Sequence, residues 1–363
     1  MKEVPVCLAV NLESFVKATP SLCFAILLVP FAMAQEMEHA HHGGFMQEGM
    51  HHAVAKGVTL DVKVDSAAHT VTLRVGPMNL PANTSHTEMP QPPDLLWQIP
   101  FDGWLIAYHP RMIDAMGNAV PGAVLHHTAF WNENRSDFLC PNKEEHIFGA
   151  GSEMTDWGEV PGFGYRVQKG DNIRIETMVY NPTATSYDKA YLQVVIPFQE
   201  LNSSSGLPPR KNVYPAWMDV KACGNSGYDL KPGKSEESGV VVVKYDGILL
   251  GVGGHIHDYG REILLQDVSR KETVAELDVQ VDDQGHLESV PVKIFLEQDG
   301  YKFAKNDVLK VTATYDNPTG KLLREGAMGI AVGYFVPSDD QQMASLRRTP
   351  RPAHDMASMS QDR

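Results

Sequence analysis

The sequence predicts an all-β fold of two tandem antiparallel β-sandwich domains, on three observations. Runs of alternating apolar and polar residues recur from residue 58 onward, with Gly, Pro, Asn and Asp between them. No stretch carries the long 3.6-residue periodicity of an amphipathic helix. One segment repeats: 169-KGDNIRIETMVYNPT-183 aligns without gaps on 305-KNDVLKVTATYDNPT-319, an offset of 136 residues. A period that long marks a duplicated domain and not a solenoid.

The elements follow in order. Lys17 precedes the apolar run 21-SLCFAILLVPFAMA-34, which ends in Ala32-Met33-Ala34. This is the pattern of a signal peptide over 1–34, cleaved before Gln35. The run is short for a bilayer and Pro30 interrupts it, so no membrane span is expected after its removal. The mature chain is expected to be exported, to the periplasm or outside the cell. Residues 35–57 read as a disordered leader with five histidines, three methionines and no apolar periodicity. His and Met together suit copper in both oxidation states; a linker with no ligand role is the alternative. The first domain is expected over 58–201, opening on the hairpin VTLDVKV–HTVTLRV and continuing through VLHHTAFW, NIRIETMVY and YLQVVIPF. The Ser/Pro-rich 202-NSSSGLPPRKN-212 is the linker. The second domain runs over 213–337, through GVVVVKY, REILLQDV, VLKVTATY and GIAVGYFV. Beyond Pro337 the chain turns polar, and 338–363 is expected to be a disordered tail.

With 363 residues, 43% of them hydrophobic, the chain can build two cores. Its net charge of −14 excludes nucleic acid and anionic membrane as main partners, since both select a basic face. A monomer is expected. Cys7 and Cys23 leave with the signal; Cys140 and Cys223 remain, and pairing or free thiols both stay open.

The chemistry centres on 251-GVGGHIHDYGREILLQD-267. Positions i and i+2 of a strand share a face about 6.5–7 Å apart, so His255 and His257 can reach one ion. Gly251, Gly253 and Gly254 would clear the approach. The first copy offers His126-His127, adjacent residues that a regular strand points to opposite faces. Both can reach one ion only where a bulge twists the backbone. Each pair alone is weak; one pair in each copy of a duplicated domain is not. Asp258 and Glu262 flank the second pair and could orient its imidazoles. His86, His109, His146 and His286 lie in polar stretches and are expected to face solvent, with His146 the substitute ligand to check. No Gly-x-Ser-x-Gly, phosphate-binding glycine loop, Cys-x-x-Cys or HExxH competes.

On these residues the chain resembles the copper type II, ascorbate-dependent monooxygenases, the family of the peptidylglycine α-hydroxylating and dopamine β-monooxygenases. The resemblance covers roughly 95–337 and implies two successive jelly-roll domains with one copper each. The family's second-domain motif, His-x-His followed by x-x-Gly-Arg or x-x-Gly-Lys, reads here His255-Ile-His257-Asp-Tyr-Gly260-Arg261. A methionine near the last core strand completes that site, and Met328 in 325-EGAMGIAVGYF-335 stands there. Adjacent histidines open the first-domain site, matched by His126-His127. The third first-domain ligand is a histidine in a His-Tyr-x-Asn-Pro context; here the text is Met178-Val-Tyr-Asn-Pro182. Counting from the proline puts Met178 in that place and counting from the tyrosine puts Val179 there. Met178 is the preferred ligand because a thioether can bind copper; core packing is its alternative role.

The resemblance therefore implies O₂ reduction and hydroxylation of an unactivated C–H bond at the copper of His255, His257 and Met328. The copper of His126, His127 and Met178 would store the second electron, and ascorbate or an equivalent would reload both. An exported copper-binding or buffering protein on the same fold, without turnover, is the rival reading. A carbohydrate-processing or adhesion module with incidental histidines is a third. Zinc is the competing metal, and thioether ligands argue against it.

Overall fold

The computed structural model describes residues 53–153, 156–201 and 208–348. The expected signal peptide, most of the leader, 202–207 of the linker and the tail from 349 lie outside them.

The first half contributes β1 (Thr59–Asp65), β2 (Thr70–Leu80), β3 (Leu95–Gln98), β4 (Gly103–Leu105), β5 (His109–Ile113), β6 (Leu125–Ser136), β7 (Glu144–Gly151), β8 (Phe163–Val167), β9 (Asn172–Val179) and β10 (Tyr187–Glu200). The second contributes β11 (Lys211–Asp219), β12 (Tyr228–Leu230), β13 (Gly233–Val242), β14 (Gly247–Ile256), β15 (Gly260–Asp267), β16 (Glu272–Asp278), β17 (Gln280–Val281), β18 (Leu287–Ser289), β19 (Lys293–Ile294), β20 (Tyr301–Phe303), β21 (Val308–Asn317), β22 (Leu323–Ala327) and β23 (Gly329–Pro337). The fold is an all-β arrangement of two jelly-roll-like sandwiches. One four-stranded sheet, β3-β9-β6-β7, belongs to the first half, and another, β13-β21-β15-β16, to the second. A long sheet, β1-β2-β10-β4-β8-β11-β23-β14-β19, runs through both halves. Its two parts join where β8 and β11 pair in parallel, Phe163 opposite Lys211 and Tyr165 opposite Val213.

Alternation builds each strand. Along β15, Ile263 and Leu265 are fully buried between less buried neighbours, and along β2 Val71, Leu73 and Val75 do the same. The inward faces form two cores. One gathers residues from Val58 to Val213 together with Leu250 of β14, and includes Trp97, Phe130, Phe148 and Val179. The other gathers Phe138 to Cys140 with residues from Tyr214 to Leu346, including Met218, Ile256, Leu265 and Phe335.

The repeat is visible bond by bond. Asp171 accepts from the Gln168 N–H at 2.9 Å, and Asp307 from the Ala304 N–H at 2.7 Å. Asn181 accepts from the Thr183 N–H and donates to the Thr185 carbonyl; Asn317 does the same with Thr319 and Lys321. Each asparagine makes an Asx-type closure two residues on, at the end of its strand, and each aspartate closes the turn before its strand by accepting from the N–H three residues back, which explains why Asp and Asn-Pro-Thr recur. The two segments lie in different four-stranded sheets, each second in its strand order.

Two boundaries move. Residues 53–57, expected in the leader, are docked: Ala55 N–H donates to the Gln91 carbonyl at 2.8 Å and Gln91 N–H to that of Ala53 at 2.8 Å. The expected tail is ordered as far as Arg348, because the short 3₁₀ helix Asp340–Leu346 buries Met343 and Leu346 against the second core. Arg347 then binds Asp171 at 2.9 Å. Two apolar side chains and one ion pair are enough to hold a segment whose composition is otherwise polar.

Cys140 and Cys223 form a disulfide with Cα atoms 5.5 Å apart. It ties the β6–β7 turn to the turn after β11, and so joins the halves. Beside it the buried Asp137 caps that turn, accepting from the Leu139 and Cys140 N–H groups at 2.8 and 2.7 Å. Burial pushes its carboxyl up to about 7, with nearby Glu145 adding to the rise and the backbone donors and Lys143 opposing it. The folded chain thus holds a proton that the unfolded chain releases near 3.8. Its stabilisation is present below about pH 4 and is lost as pH climbs through about 7. Asp137→Asn keeps the accepting oxygen and removes the buried charge. The variant is expected to gain on the wild type by roughly 1–4 kcal/mol between pH 5 and pH 8, read by denaturant melts at both. A gap independent of pH would show that Asp137 is ionised throughout.

Candidate metal centre

The first histidine pair sits on an irregular strand. Leu125 of β6 opposes Val179 of β9, but His127 opposes Met178, so β6 carries one extra residue at His126. This is the bulge that adjacent histidines need to turn to one side. The Nδ1 atoms of His126 and His127 are 3.0 Å apart. Alternation places Met178 on the His127 side and Val179 in the first core with Leu125. Met178 belongs to neither core.

The second pair lies on β14, whose partner is β23: His255 opposes Ile330 and Ile256 opposes Gly329. The same register carried one residue further sets His257 against Met328. Ile256 and Ala331 point into the second core, which leaves His255, His257 and Met328 to the opposite face. Tyr315 locks this corner. Its buried hydroxyl accepts from the N–H of His257 at 3.2 Å and of Met328 at 2.9 Å, and donates to the Met328 carbonyl.

The two faces meet. The ring of His126 is 5.1 Å from that of His257, and the rings of His255 and His257 are 5.4 Å apart. A cavity between the sheets is lined by His127, Glu153, Trp157, Trp217, His255 and Met328. Two pairs expected to serve separate domains therefore form one cluster at the junction of the halves. Burial, helped by the neighbouring imidazoles, pushes His126, His127 and His257 well below the ordinary histidine range. Neutral rings keep the lone pairs that metals need.

Glu153, at the end of β7, orients His255: its Oε1 lies 3.1 Å from His255 Nδ1. Burial works to raise this carboxyl, but His255 and the N–H groups of Glu153 and Gly151 outweigh it and hold it below its usual value. With Nδ1–H donated to Glu153, Nε2 carries the lone pair. The Nε2 atoms of both His255 and His257 are buried without a hydrogen-bond partner. Asp258 and Glu262, expected to orient these imidazoles, do not. Asp258 accepts from the Leu287 N–H, and Glu262 groups with Glu276 and Asp278 on the other face. The glycines differ too. A Cβ at Gly254 would strike Ile263 of the core at 2.5 Å, whereas one at Gly151 of β7 would come within 2.7 Å of the His255 ring. Gly151, and not the β14 glycines, makes room for the imidazole.

Of the histidines expected in solvent, His286 is exposed and His109 half-exposed, and they pair with Asp282 and Asp156. His146 is buried instead, stacked between Trp131 at 4.3 Å and Trp217 at 3.5 Å. His86 is only half exposed, with its ring 4.8 Å from that of His126. No spacing in the sequence marks His86, His146 or Glu153: Glu153 and His146 meet partners from the second half, and His86 is brought to His126 by a loop of the first.

The donors fit a copper-type ion. Two nitrogens about 3 Å apart match the span of neighbouring ligands each about 2 Å from one ion. Imidazole with thioether is a borderline-to-soft set that copper accepts in both oxidation states and zinc sites do not use. Among the described residues, the His, Cys, Asp and Glu atoms that converge in threes within 4.8 Å belong to Glu262, Glu276 and Asp278. At the cluster the histidines come together in pairs, with Met328 lining the same cavity. Glu153→Gln is expected to weaken copper binding about 10–100-fold, the usual cost of losing an orienting carboxylate. A copper titration checks it; unchanged affinity would make Glu153 a structural residue only.

No family model matches the chain, and neither does any curated protein. Solved structures that match include a chain from the atomic structure of Sulfolobus turreted icosahedral virus, at 9% identity and TM-score 0.32, covering 84% of this chain and 96% of that one. The major capsid protein P2 from bacteriophage PM2 matches at 10% identity and TM-score 0.30, covering 72% of this chain and 97% of that one. Likeness at this level carries no argument about what the chain does, which rests on its own side chains.

Proposed function

We propose that the chain is an exported copper protein of the ascorbate-dependent monooxygenase type, hydroxylating an unactivated C–H bond with O₂ and an external reductant. The observation that carries this reading is the meeting of two histidine pairs, one from each half, with a methionine on the face of each. His255, His257 and Met328 would hold one ion, and His126, His127 and Met178 the other. Bound copper supplies one-electron redox chemistry and the binding of O₂.

The chain's own residues do the rest. Glu153 holds the Nδ1 proton of His255 and aims Nε2 at the ion. Tyr315 fixes the backbone of His257 and Met328 together, so the thioether and the imidazole keep one spacing. The indoles of Trp157 and Trp217, with Ile330 and Val332, give the cavity beside His255 an apolar wall. The disulfide favours an oxidising compartment and so supports export. Among the described residues no helix is long and apolar enough to cross a membrane.

The test is O₂ uptake by the copper-loaded protein with ascorbate, across peptide and small-molecule candidates. Turnover linked to a hydroxylated product supports the proposal. Stoichiometric copper with no substrate-dependent uptake supports the second reading, a copper-holding protein without turnover. Burial of the ligand rings and Met178 at the third position of the first pair favour that reading.

A further inference from the structure

We infer that Trp217 is a positioning residue: seated in a slot of the first half, it fixes where Glu153 and the first histidine pair stand against His255 and His257. What that alignment serves rests on the copper reading above. Trp217 belongs to β11 of the second half. Its neighbours Ala216 and Met218 lie in the second core, so its indole points the other way, onto β7 of the first half. Its ring lies flat on that of His146, with centroids 3.5 Å apart and 11° between the planes. The indole of Trp131 closes the far side of the imidazole at 4.3 Å. The Nε1–H of Trp217 donates to the His146 carbonyl at 2.6 Å. Gly149 gives the other end of the indole its room: a Cβ there would stand 3.1 Å from Cη2 of Trp217 and 3.2 Å from Nε2 of His146.

The slot explains His146. That ring is buried and lines the cavity, yet among the described residues it joins no convergent group of three His, Cys, Asp or Glu donors. Its place is in the stack, as the flat filler between an indole of each half. The slot also explains the alignment. β7 touches the second half at two points: His146 and Gly149 take Trp217, and Gly151 and Glu153, further along, take the His255 ring. In the second half both points lie on one sheet. Trp217 opposes Val332, Val332 opposes Gly253, and His255 stands two residues beyond Gly253 on β14. Trp217 and His255 are thus two strands across and two residues along, about 12 Å apart. Two contacts that far apart fix the spacing of β7 over the sheet and its angle to it. Close-packed rings transmit a displacement and do not absorb it. An indole out of its slot therefore moves Glu153 off His255 and His126 away from His257.

The test uses the full chain, metal-free and with labelled histidines, in wild type, Trp217→Ala and Gly149→Ala, with Trp97→Phe of the first core as control. Nuclear magnetic resonance reads two signals of the alignment. One is the Overhauser contact between the rings of His126 and His257, whose centroids are 5.1 Å apart; the other is the Nδ1–H of His255 held by Glu153. Trp217→Ala and Gly149→Ala are expected to lose both signals. Trp97→Phe gives up core packing alone and is expected to keep both. Gly149→Ala leaves the indole present and crowds its slot, so it decides the matter where Trp217→Ala does not fold. Copper affinity at His255 is expected to fall about tenfold or more wherever the signals are lost, as on losing the orienting carboxylate itself. Either signal retained in the deciding variant, both lost in Trp97→Phe as well, or affinity unchanged where both are lost overturns the inference and leaves the copper reading standing. A wild-type chain that takes up no copper defeats the copper reading, and the two signals of the metal-free chain then decide this inference alone.

Discussion

His255→Ala is expected to lower copper affinity at least 100-fold and also to destabilise the metal-free protein. The first effect follows from removing a ligand, which exceeds the 10–100-fold cost of losing an orienting group alone. The second follows from Glu153, whose side chain is 3% exposed and pairs with His255 at 3.1 Å. Taking the partner from a buried carboxylate costs about 1–3 kcal/mol or more. His257→Ala should match the metal effect without that stability loss, since among the described residues no carboxylate forms an ion pair with its ring, as Glu153 does with His255. The pair of variants separates ligand from ion-pair partner: titration should fall in both, and the metal-free melt only in His255→Ala. Equal melts would mean that Glu153 is satisfied by the Gly151 N–H and its other contacts. Unchanged titrations would remove His255 and His257 from the site.

Removing the disulfide is the other large expected effect. Cys140 and Cys223 are 83 residues apart in sequence, and loop closure at that length corresponds to about 4–5 kcal/mol. The bridge crosses from the first half to the second, past the end of β11 opposite to its pairing with β8. Its loss should therefore loosen the face on which the histidines meet as well as the chain as a whole. Cys140→Ser with Cys223→Ser is expected to unfold at clearly lower denaturant and to bind copper more weakly. Lower stability with unchanged copper affinity would show that sheet pairing alone aligns the halves.

Much of this was legible in the sequence because it rests on local rules. Alternation located the strands, and Asp171 with Asp307 and Asn181 with Asn317 announced a repeat that the turns then honour with the same bonds. The i, i+2 spacing put His255 and His257 on one face, and adjacent His126 and His127 required a bulge that the β6–β9 register contains. What was not legible depends on packing between elements distant in sequence. Glu153 reaches His255 across 102 residues, and His86 meets the His126 ring through a loop tied down by Gln91 and Thr84. His146 looked solvent-facing in its polar stretch because its two indole partners, Trp131 and Trp217, come from different halves. The merging of two sites into one cluster has the same origin: no property of either domain alone says which of its faces will meet the other.

Anomalous diffraction at the copper absorption edge, on crystals of the copper-loaded full chain, tests the central claim most directly. Anomalous density is expected among His126, His127, His255 and His257, with the sulfurs of Met178 and Met328 turned toward it. Density only at Glu262, Glu276 and Asp278, or none in the chamber between the sheets, would contradict that claim.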